Sequence, residues 1–584
     1  MRSKWIEYTK KADFRMWSEE LHISVLTARL LRNRNVETLE EAKQYLYGTI
    51  DDLQDPALLK DLETAVRLLA GVREKQGRVC VVSDYDDDGI FAGRILQEGL
   101  DTLGIANEVL SPNRNHEGYG INRRIIDDAK AHGCSLILTC DNGIAAYDEI
   151  VYAKECGLQV IITDHHEPQY EDLPADAVID AKQPDCPYPF KELCGAGVAF
   201  RLIQALYRKF GIPKEKEEEL YEYAAIATIA DVVPLQGENR ILVKEGLKRL
   251  RQTAKPGLKA LIDVSGLVPE KLSSYHIGFV IGPCFNAVSR LTGEADLSRE
   301  LLAARTYEEA LPLAQKMREL NEMRKTMTEE GFREALAVIE GAAWKDDPLY
   351  VVPLKNTNEA VIGIIAGRLK ERFYKPVIVL TPGEEPGVYK GSGRSIEAYH
   401  MMEHLTLCRD LLLRFGGHAM AAGLSIASDR IDAFRDALVK NCKLTEKDLT
   451  PVTHIDARVP LSFISEQMIR ELSVLEPFGT ANDKPLFALP HLKVCGVMVL
   501  GKNRNVLKLR IADESGRQIE AVDFQDGPEL LQFLQTEFGE EAIEKARVGR
   551  ENPIDLALAF YPDINEFRGS VTLQLVIQDW CRIR

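Results

Sequence analysis

Between about Val66 and Asp231, short runs of β-branched and apolar residues alternate with helical patterns. The clearest are RVCVVSD (78–84), SLILTCD (135–141) and QVIITDHH (159–166), each bounded by Gly, His or Asp. Short apolar runs separated by helical stretches predict buried parallel strands in βαβ units, hence a doubly wound α/β domain. Residues 294–342 are rich in Glu, Leu, Ala, Arg and Met, and Thr306-Tyr307-Glu308-Glu309 fits a capping box that opens a long connector helix. LYVVPL (349–354), the helical AVIGIIAGRLKERF (360–373) and PVIVLT (376–381) then restart an α/β pattern, which predicts a second, smaller α/β domain. HLKVCGVMV, VLKLRIAD, QIEAVDF, IDLALAFYP and VTLQLVIQDW read as strands of an OB-like β-barrel, with turn signals at Gly501, Gly516, Asn565 and Gly569. The predicted partition is an N-terminal extension (1–60) packing on the first domain, the first α/β domain (61–293), a connector helix (294–345), the second α/β domain (346–448) and the barrel (449–584).

A chain of 584 residues exceeds what one core supports, so several domains are expected. Neither a signal peptide nor a membrane span is predicted, because MRSKWIEYTKKADF is polar and the longest apolar runs, such as VIGIIAG, are short. The 11 cysteines form no CxxC pair, and Cys80 and Cys495 lie inside strand-like runs. That pattern predicts reduced core cysteines, a cytoplasmic location and no cysteine-built zinc site. A net charge of −17 argues against a general nucleic-acid coat protein. It leaves room for an enzyme with a local basic groove, since bound divalent cations reverse the local sign where a phosphate sits.

The candidate chemistry is acidic. Asp84-Tyr85-Asp86-Asp87-Asp88-Gly89 follows the strand-like VCVVS. On an extended segment, Asp84, Asp86 and Asp88 would point to one side and Asp87 to the other. Crowded carboxylates cannot all ionise without a counter-charge, so a cation is implied; the alternative is an acidic turn capping the following helix. Repetition favours the cation: Asp141-Asn142-Gly143 follows SLILTC, and Asp164-His165-His166 follows QVIIT. Parallel sheets place ligand sites beyond the carboxyl ends of their strands, so the three clusters should meet. Imidazole among carboxylates is a mixed N/O set suited to Mn²⁺, Mg²⁺ or a similar ion. Asp231 closes the apolar YAAIATIA and needs a partner.

DYDDDG (84–89), CDNG (140–143), DHH (164–166) and ADVVPL (230–235), in this order and spacing, resemble the four motifs of the DHH phosphoesterase superfamily. The chain as a whole resembles the superfamily's RecJ-type branch of single-strand-specific 5′→3′ exonucleases. SPNRNHEGYG (111–120), GPCFNAVSRL (282–291), GSGRS (391–395), FGGHAMAAG (415–423) and EPFGTANDKPLF (476–487) extend the resemblance over nearly the full length, with the first fifty residues and 525–550 least informative. The resemblance implies a catalytic set of Asp86, Asp88, Asp141, His165, His166 and Asp231. All but His166 would ligate two divalent cations, Mn²⁺ or Mg²⁺, with Asp141 bridging and His166 facing the substrate phosphate. Asp84 and Asp164 would support the ligands from behind, Asp164 by orienting the adjacent histidine.

Arg114, Asn286, Arg290, Ser392, Arg394, Ser395, Gly417 and His418 would bind substrate, the last five from a DHHA1-type domain across a cleft. Tyr119, Tyr399 and Phe415 are candidate base contacts, with a core or rim aromatic as the alternative for each. The implied activity is hydrolysis of single-stranded DNA to mononucleotides in repair and recombination, by a monomer whose candidate partners are a helicase and a single-strand-binding protein. The chain departs from the pattern at Val82-Ser83, where His-Gly is common, at Cys284 in place of Arg, at Val288-Ser289 in place of small residues, and at Asn358 in place of His. Two alternatives stand beside this reading. Short RNA or cyclic dinucleotides are cut by shorter members that lack the barrel, and non-catalytic DNA-binding scaffolds lose the ligands that all four motifs keep here.

Overall fold

The computed structural model describes residues 3–567 and 570–582, so the turn signal at Gly569 lies outside it. The chain divides into two units, Lys43–Glu329 with Pro477–Asp483, and Met1–Ala42 with Glu330–Glu476 and Lys484–Arg584. Its first strand, β1 (Lys4–Glu7), belongs to the second of these.

In the unit built on Lys43–Glu329, strands β2 (Arg78–Ser83), β3 (Ala106–Leu110), β4 (Leu136–Cys140), β5 (Gln159–Thr163) and β6 (Ala177–Ile179) form an all-parallel sheet in the order β3-β2-β4-β5-β6. All but the edge strand β3 are apolar on both faces because helices cover both, and alternate residues go to different cores. Val79, Val81, Leu136, Leu138 and Ile161 face one core, while Cys80, Val82, Ile137, Val160 and Ile162 face the other. From β2 the chain runs first to β3 on one side and then to β4 on the other, which puts the switch point between the carboxyl ends of β2 and β4. Asp84 and Asp141 follow those two ends.

The stretch expected as one connector over 294–345 holds two helices, Asp296–Ala303 and Tyr307–Gly341. Thr306 starts the second afresh. Its Oγ1 accepts from Glu309 N at 3.2 Å, and Glu309 Oε2 accepts from Arg305 N at 3.0 Å, a capping box whose return bond lands one residue early.

In the other unit, β7 (Tyr350–Pro353), β8 (Val377–Pro382), β9 (Val388–Arg394), β10 (Leu412–Gly417) and β11 (Ala421–Ala427) form a sheet in the order β10-β11-β9-β8-β7, antiparallel except for β7 with β8. After β12 (Val452–Ile455) and β13 (Ala457–Arg458) come β14 (Phe487–Leu500), β15 (Val506–Ala512), β16 (Gln518–Asp523), β17 (Asp555–Phe567) and β18 (Ser570–Arg582). The last five close a barrel, because β14 pairs β17 along its first half and β15 along its second, with register shifts at Leu489/Leu492 and Val494/Gly496. Asn565 is not a turn residue: it lies within β17 opposite Thr572, in a hairpin longer than its apolar run.

The N-terminal extension does not pack as one piece on the first domain. β1 pairs β12 in parallel, Trp5 Nε1 donates to Asp579 Oδ2 at 2.8 Å, and Asn33 Nδ2 donates to Asp456 Oδ1 at 2.9 Å. Buried polar groups require such partners, and those of residues 3–42 sit beside the barrel sequence. The first α/β unit takes the chain from Lys43, where Tyr45 Oη donates to Asn482 Oδ1 at 2.6 Å and Gln54 N to Glu238 Oε1 at 2.6 Å.

Candidate active site

The acidic run does not stay extended. A helix starts at Asp87 (Asp87–Thr102), with Asp86 as its N-cap accepting from Gly89 N at 3.1 Å. Helix capping and a convergent acidic cluster therefore coexist. Asp88, in the first turn, accepts from Gly195 N (2.6 Å) and Ala196 N (2.7 Å) at the start of the helix Gly195–Phe210. Gly195 is required by close approach, since a Cβ there would stand 2.6 Å from Asp141 Cβ. Asp87 turns aside and accepts from Asn286 Nδ2 at 2.8 Å.

Asp141 adopts φ +61°, a left-handed conformation that Asp tolerates better than most residues, and its N–H donates to Thr163 O at 3.0 Å. Asp164 accepts from His165 N (2.7 Å), His166 Nδ1 (2.7 Å) and Ile144 N (2.9 Å). It therefore orients His166 through the ring and His165 through the backbone. Asp231 caps the carboxyl end of the helix Tyr221–Ala230.

These residues converge. His165 Nε2 lies 3.1 Å from Asp141 Oδ1, 3.6 Å from Asp88 Oδ2 and 3.7 Å from Asp231 Oδ2. Three sets bring one ligand atom per residue within 4.8 Å of each other: Asp84, Asp86 and Asp141; Asp141, His165 and His166; and Asp88, His165 and Asp231. Asp141 and His165 are common to two sets each. Asp84 stands among the candidate ligands rather than behind them. The alternation of an extended segment already puts Asp84 on the side of Asp86; only the resemblance places it behind the ligands.

Burial, then the neighbouring carboxylates, pushes Asp84 and Asp141 well above the usual carboxylate range and Asp231 to about 9. Burial raises Asp88 to about 6 against the two amide bonds. Burial, then His166, lowers His165 to about 3, so its imidazole is neutral at pH 7. Burial opposes ionisation of both members of the Asp164–His166 pair, but their hydrogen bond wins, holding Asp164 low and His166 high.

His165 Nε2, Asp231 Oδ2 and Asp84 Oδ1 are buried without hydrogen-bond partners. Orphaned N and O donors, five carboxylates and no thiolate in the sets fit hard or borderline divalent cations, and the shared residues fit a pair of them.

The remaining predicted residues separate. In the first unit, Arg114 lies over the Tyr85 ring (4.9 Å), and the charge of Arg290 is felt at Asp87 and Tyr85. Tyr119 Oη donates to Asp141 O (2.5 Å) and lies 3.3 Å from His166 Nδ1. Val82 is buried in β2, with its carbonyl bonded by Asn142 Nδ2, and Cys284 is buried with its thiol on Val280 O.

In the other unit, strand register joins Arg394 with Ala421, Ser392 with Gly423 and Gly417 with Ala422, while His418 N donates to Ala421 O. Arg394 Nη1 donates to Ser392 Oγ (3.1 Å) and Gly393 O (2.8 Å). Gly363, on the helix Glu359–Phe373, leaves room for both side chains, and Asn358 caps that helix. Ser395 is structural, its hydroxyl bonded to Tyr399 O (2.5 Å). Tyr399 is buried in the core of this sheet and Phe415 packs against it, so apolar burial rather than base contact explains both.

Lys182, just past β6, stands outside the sequence motifs, yet its charge reaches His165 and Asp231. The three-residue strand before it is too short to read as one.

A parallel sheet whose strand-end loops gather this donor set defines a metal-dependent phosphoesterase of the DHH type. The family described as DHH family, N-terminal domain, matches residues 78–230, the DHHA1 domain matches 346–444, and the RecJ OB domain matches 455–579. The chain belongs to the RecJ family. It is 34% identical over 578 residues to the single-stranded-DNA-specific exonuclease RecJ of Salmonella typhimurium, covering 95% of each chain. It is 39% identical over 512 residues to the enzyme of that name from Bacillus subtilis, covering 87% of this chain and 64% of that relative's length. Among solved structures, RecJ of Thermus thermophilus in complex with Mn²⁺ superposes with a TM-score of 0.82 at 28% identity, over 100% of this chain and 80% of that one.

Proposed function

We propose that this chain hydrolyses single-stranded DNA from the 5′ end to mononucleotides, in repair and recombination, with two divalent cations, Mn²⁺ or Mg²⁺. The observation that carries this reading is the convergence of Asp84, Asp86, Asp88, Asp141, His165 and Asp231 around buried donors without partners. Asp84, Asp86 and Asp141 would hold one cation, and Asp88, His165 and Asp231 the other, with Asp141 within reach of both. Such cations, when bound, activate water, polarise the phosphoryl oxygen and neutralise developing charge.

The chain's own groups do the rest. The amides of Gly195 and Ala196 fix the Asp88 carboxylate. Asp164 takes His166 Nδ1–H, which leaves Nε2 as the outward donor of an imidazolium able to bind a phosphate oxygen. Tyr119 braces both His166 and the Asp141 backbone. Arg394, with Ser392, Gly417 and His418, would hold backbone phosphate, since its guanidinium pairs with no carboxylate among the described residues. Arg114 and Arg290 would serve the same end near the acidic cluster.

No described helix is long and apolar enough to cross a membrane, and all 11 cysteines are free thiols, which suits the reducing cytoplasm. A helicase and a single-strand-binding protein are the partners to test, and a monomer is the state expected.

The test is digestion of single-stranded DNA labelled at either end, beside duplex DNA and short RNA, in Mn²⁺ and in EDTA. Early release of the 5′ label as mononucleotide, abolished by EDTA, is the expected result. Preferential cleavage of short RNA, or binding without cleavage, would overturn it.

A further inference from the structure

Two exposed aromatic side chains share one helical turn. Tyr275 is 60% and Phe279 is 67% exposed, yet their rings lie 4.9 Å apart at 28°, stacked on each other. They stand on a helical segment that runs through Ser274–His276, a π-helical turn at Ile277–Ile281 and the helix Gly282–Thr292. π-Turns are rare and concentrate at functional sites.

The other side of the segment is fixed against the acidic site. Ile277 and Ile281 are buried, and a Cβ on Gly278 would lie 3.6 Å from Ile229 Cγ2. A Cβ on Gly282 would lie 2.8 Å from Asp87 Oδ2 and 3.4 Å from Ala230 Cβ. Ile229 and Ala230 lead directly into Asp231. Along the axis, Phe279 and Tyr275 precede Gly282 by roughly 4.5 and 10 Å at about 1.5 Å per residue.

The pair is braced before any partner arrives. The His276 ring stands edge-on to Tyr275 (5.7 Å, 84°), and its Nδ1 is held by Ser273 N and Oγ. Rings left this exposed forgo the gain that burying apolar surface would bring. Ser273 and His276, which flank Tyr275 in the chain, are polar and half-buried, which suits a flat ligand with a polar rim better than a broad apolar protein surface.

We propose that Tyr275 and Phe279 form a stacking platform for unpaired bases of the strand being cut, on a segment that adjoins the helix ends carrying Asp87 and Asp231. This rests on the single-stranded-DNA reading above and adds a source of strand selectivity: bases of a duplex have no free face to offer.

Wild type, Tyr275→Ala, Phe279→Ala and Phe279→Trp would be compared on an oligothymidylate and on the same strand with one abasic site walked through its first positions. Binding would be read by anisotropy in EDTA, and KM and kcat in Mn²⁺. Phe279→Ala should weaken binding and raise KM roughly 5- to 150-fold with little change in kcat, and Phe279→Trp should restore both. An abasic site at the stacked position should cost wild type the same factor and Phe279→Ala nothing further. Unchanged binding in both alanine variants, or an equal abasic penalty in variant and wild type, would overturn the platform. A wild type that binds the strand but cuts none of it would sink the functional reading instead, while the binding arm still decides the platform.

Discussion

Asp141 sits at φ +61° with the N-terminus of the helix Gly195–Phe210 packed against its side chain. Gly195→Ala places a Cβ 2.6 Å from Asp141 Cβ, and Asp141 must then move. The variant is expected to lose about 1–3 kcal/mol of stability and a larger share of its Mn²⁺ affinity, measured by melting and by calorimetric titration. Asp164→Asn removes the charge that holds His166 above its ordinary pKa. The imidazole then loses its proton at lower pH, so the alkaline limb of kcat/KM should move down in pH, with activity reduced about 10- to 100-fold. Candidate ligands were legible because acids and histidines recur in three strand-end clusters and at one apolar helix end. The alternation of an extended segment also puts Asp84 beside Asp86, whereas Lys182 was not legible, because the strand before it is three residues long.

At the scale of elements, buried strands and long helices read well, and half-exposed ones did not. β3 (ANEVL) is an edge strand without a buried residue, so it carries no apolar run. The helices Gly527–Phe538 and Glu540–Arg547 fill the stretch 525–550, where neither motif nor strand pattern announced them. The stacked pair Tyr275 and Phe279 escaped notice because aromatics at helical spacing ordinarily mean core. The N-terminal segment read as an appendage of the first domain because nothing local reveals a strand partner more than 400 residues away. Its attachment is testable: Asn33→Ala strips a buried bond from Asp456 and should cost about 1–3 kcal/mol. Faster hydrogen exchange should then appear in β12 and the barrel strands while β2, β4 and β5 stay protected.

For the molecule as a whole, the acidic cluster ties stability to both metal and pH. In EDTA, Asp88 and Asp231 have folded-state pKa values of about 6 and 9, above their unfolded values. The folded form then binds more protons than the unfolded one, so stability from these groups is full below about pH 4 and declines as pH rises through about 6 and then 9. Metal-free protein should therefore lose thermal stability in the unit Lys43–Glu329 between pH 5 and 9. Mn²⁺ should restore it, with a larger gain in Tm at pH 8 than at pH 5 because binding displaces fewer protons there. The parallel pairing of Lys4 with Val452 has a consequence in time. At the pace of synthesis, roughly 5–20 residues per second, β1 leaves the ribosome about 20–90 seconds before the strand it must join. During that interval its backbone groups are an open edge, available to any other strand nearby. Folding yield in the cell should depend on whatever shelters these four residues of nascent chain until their partner arrives.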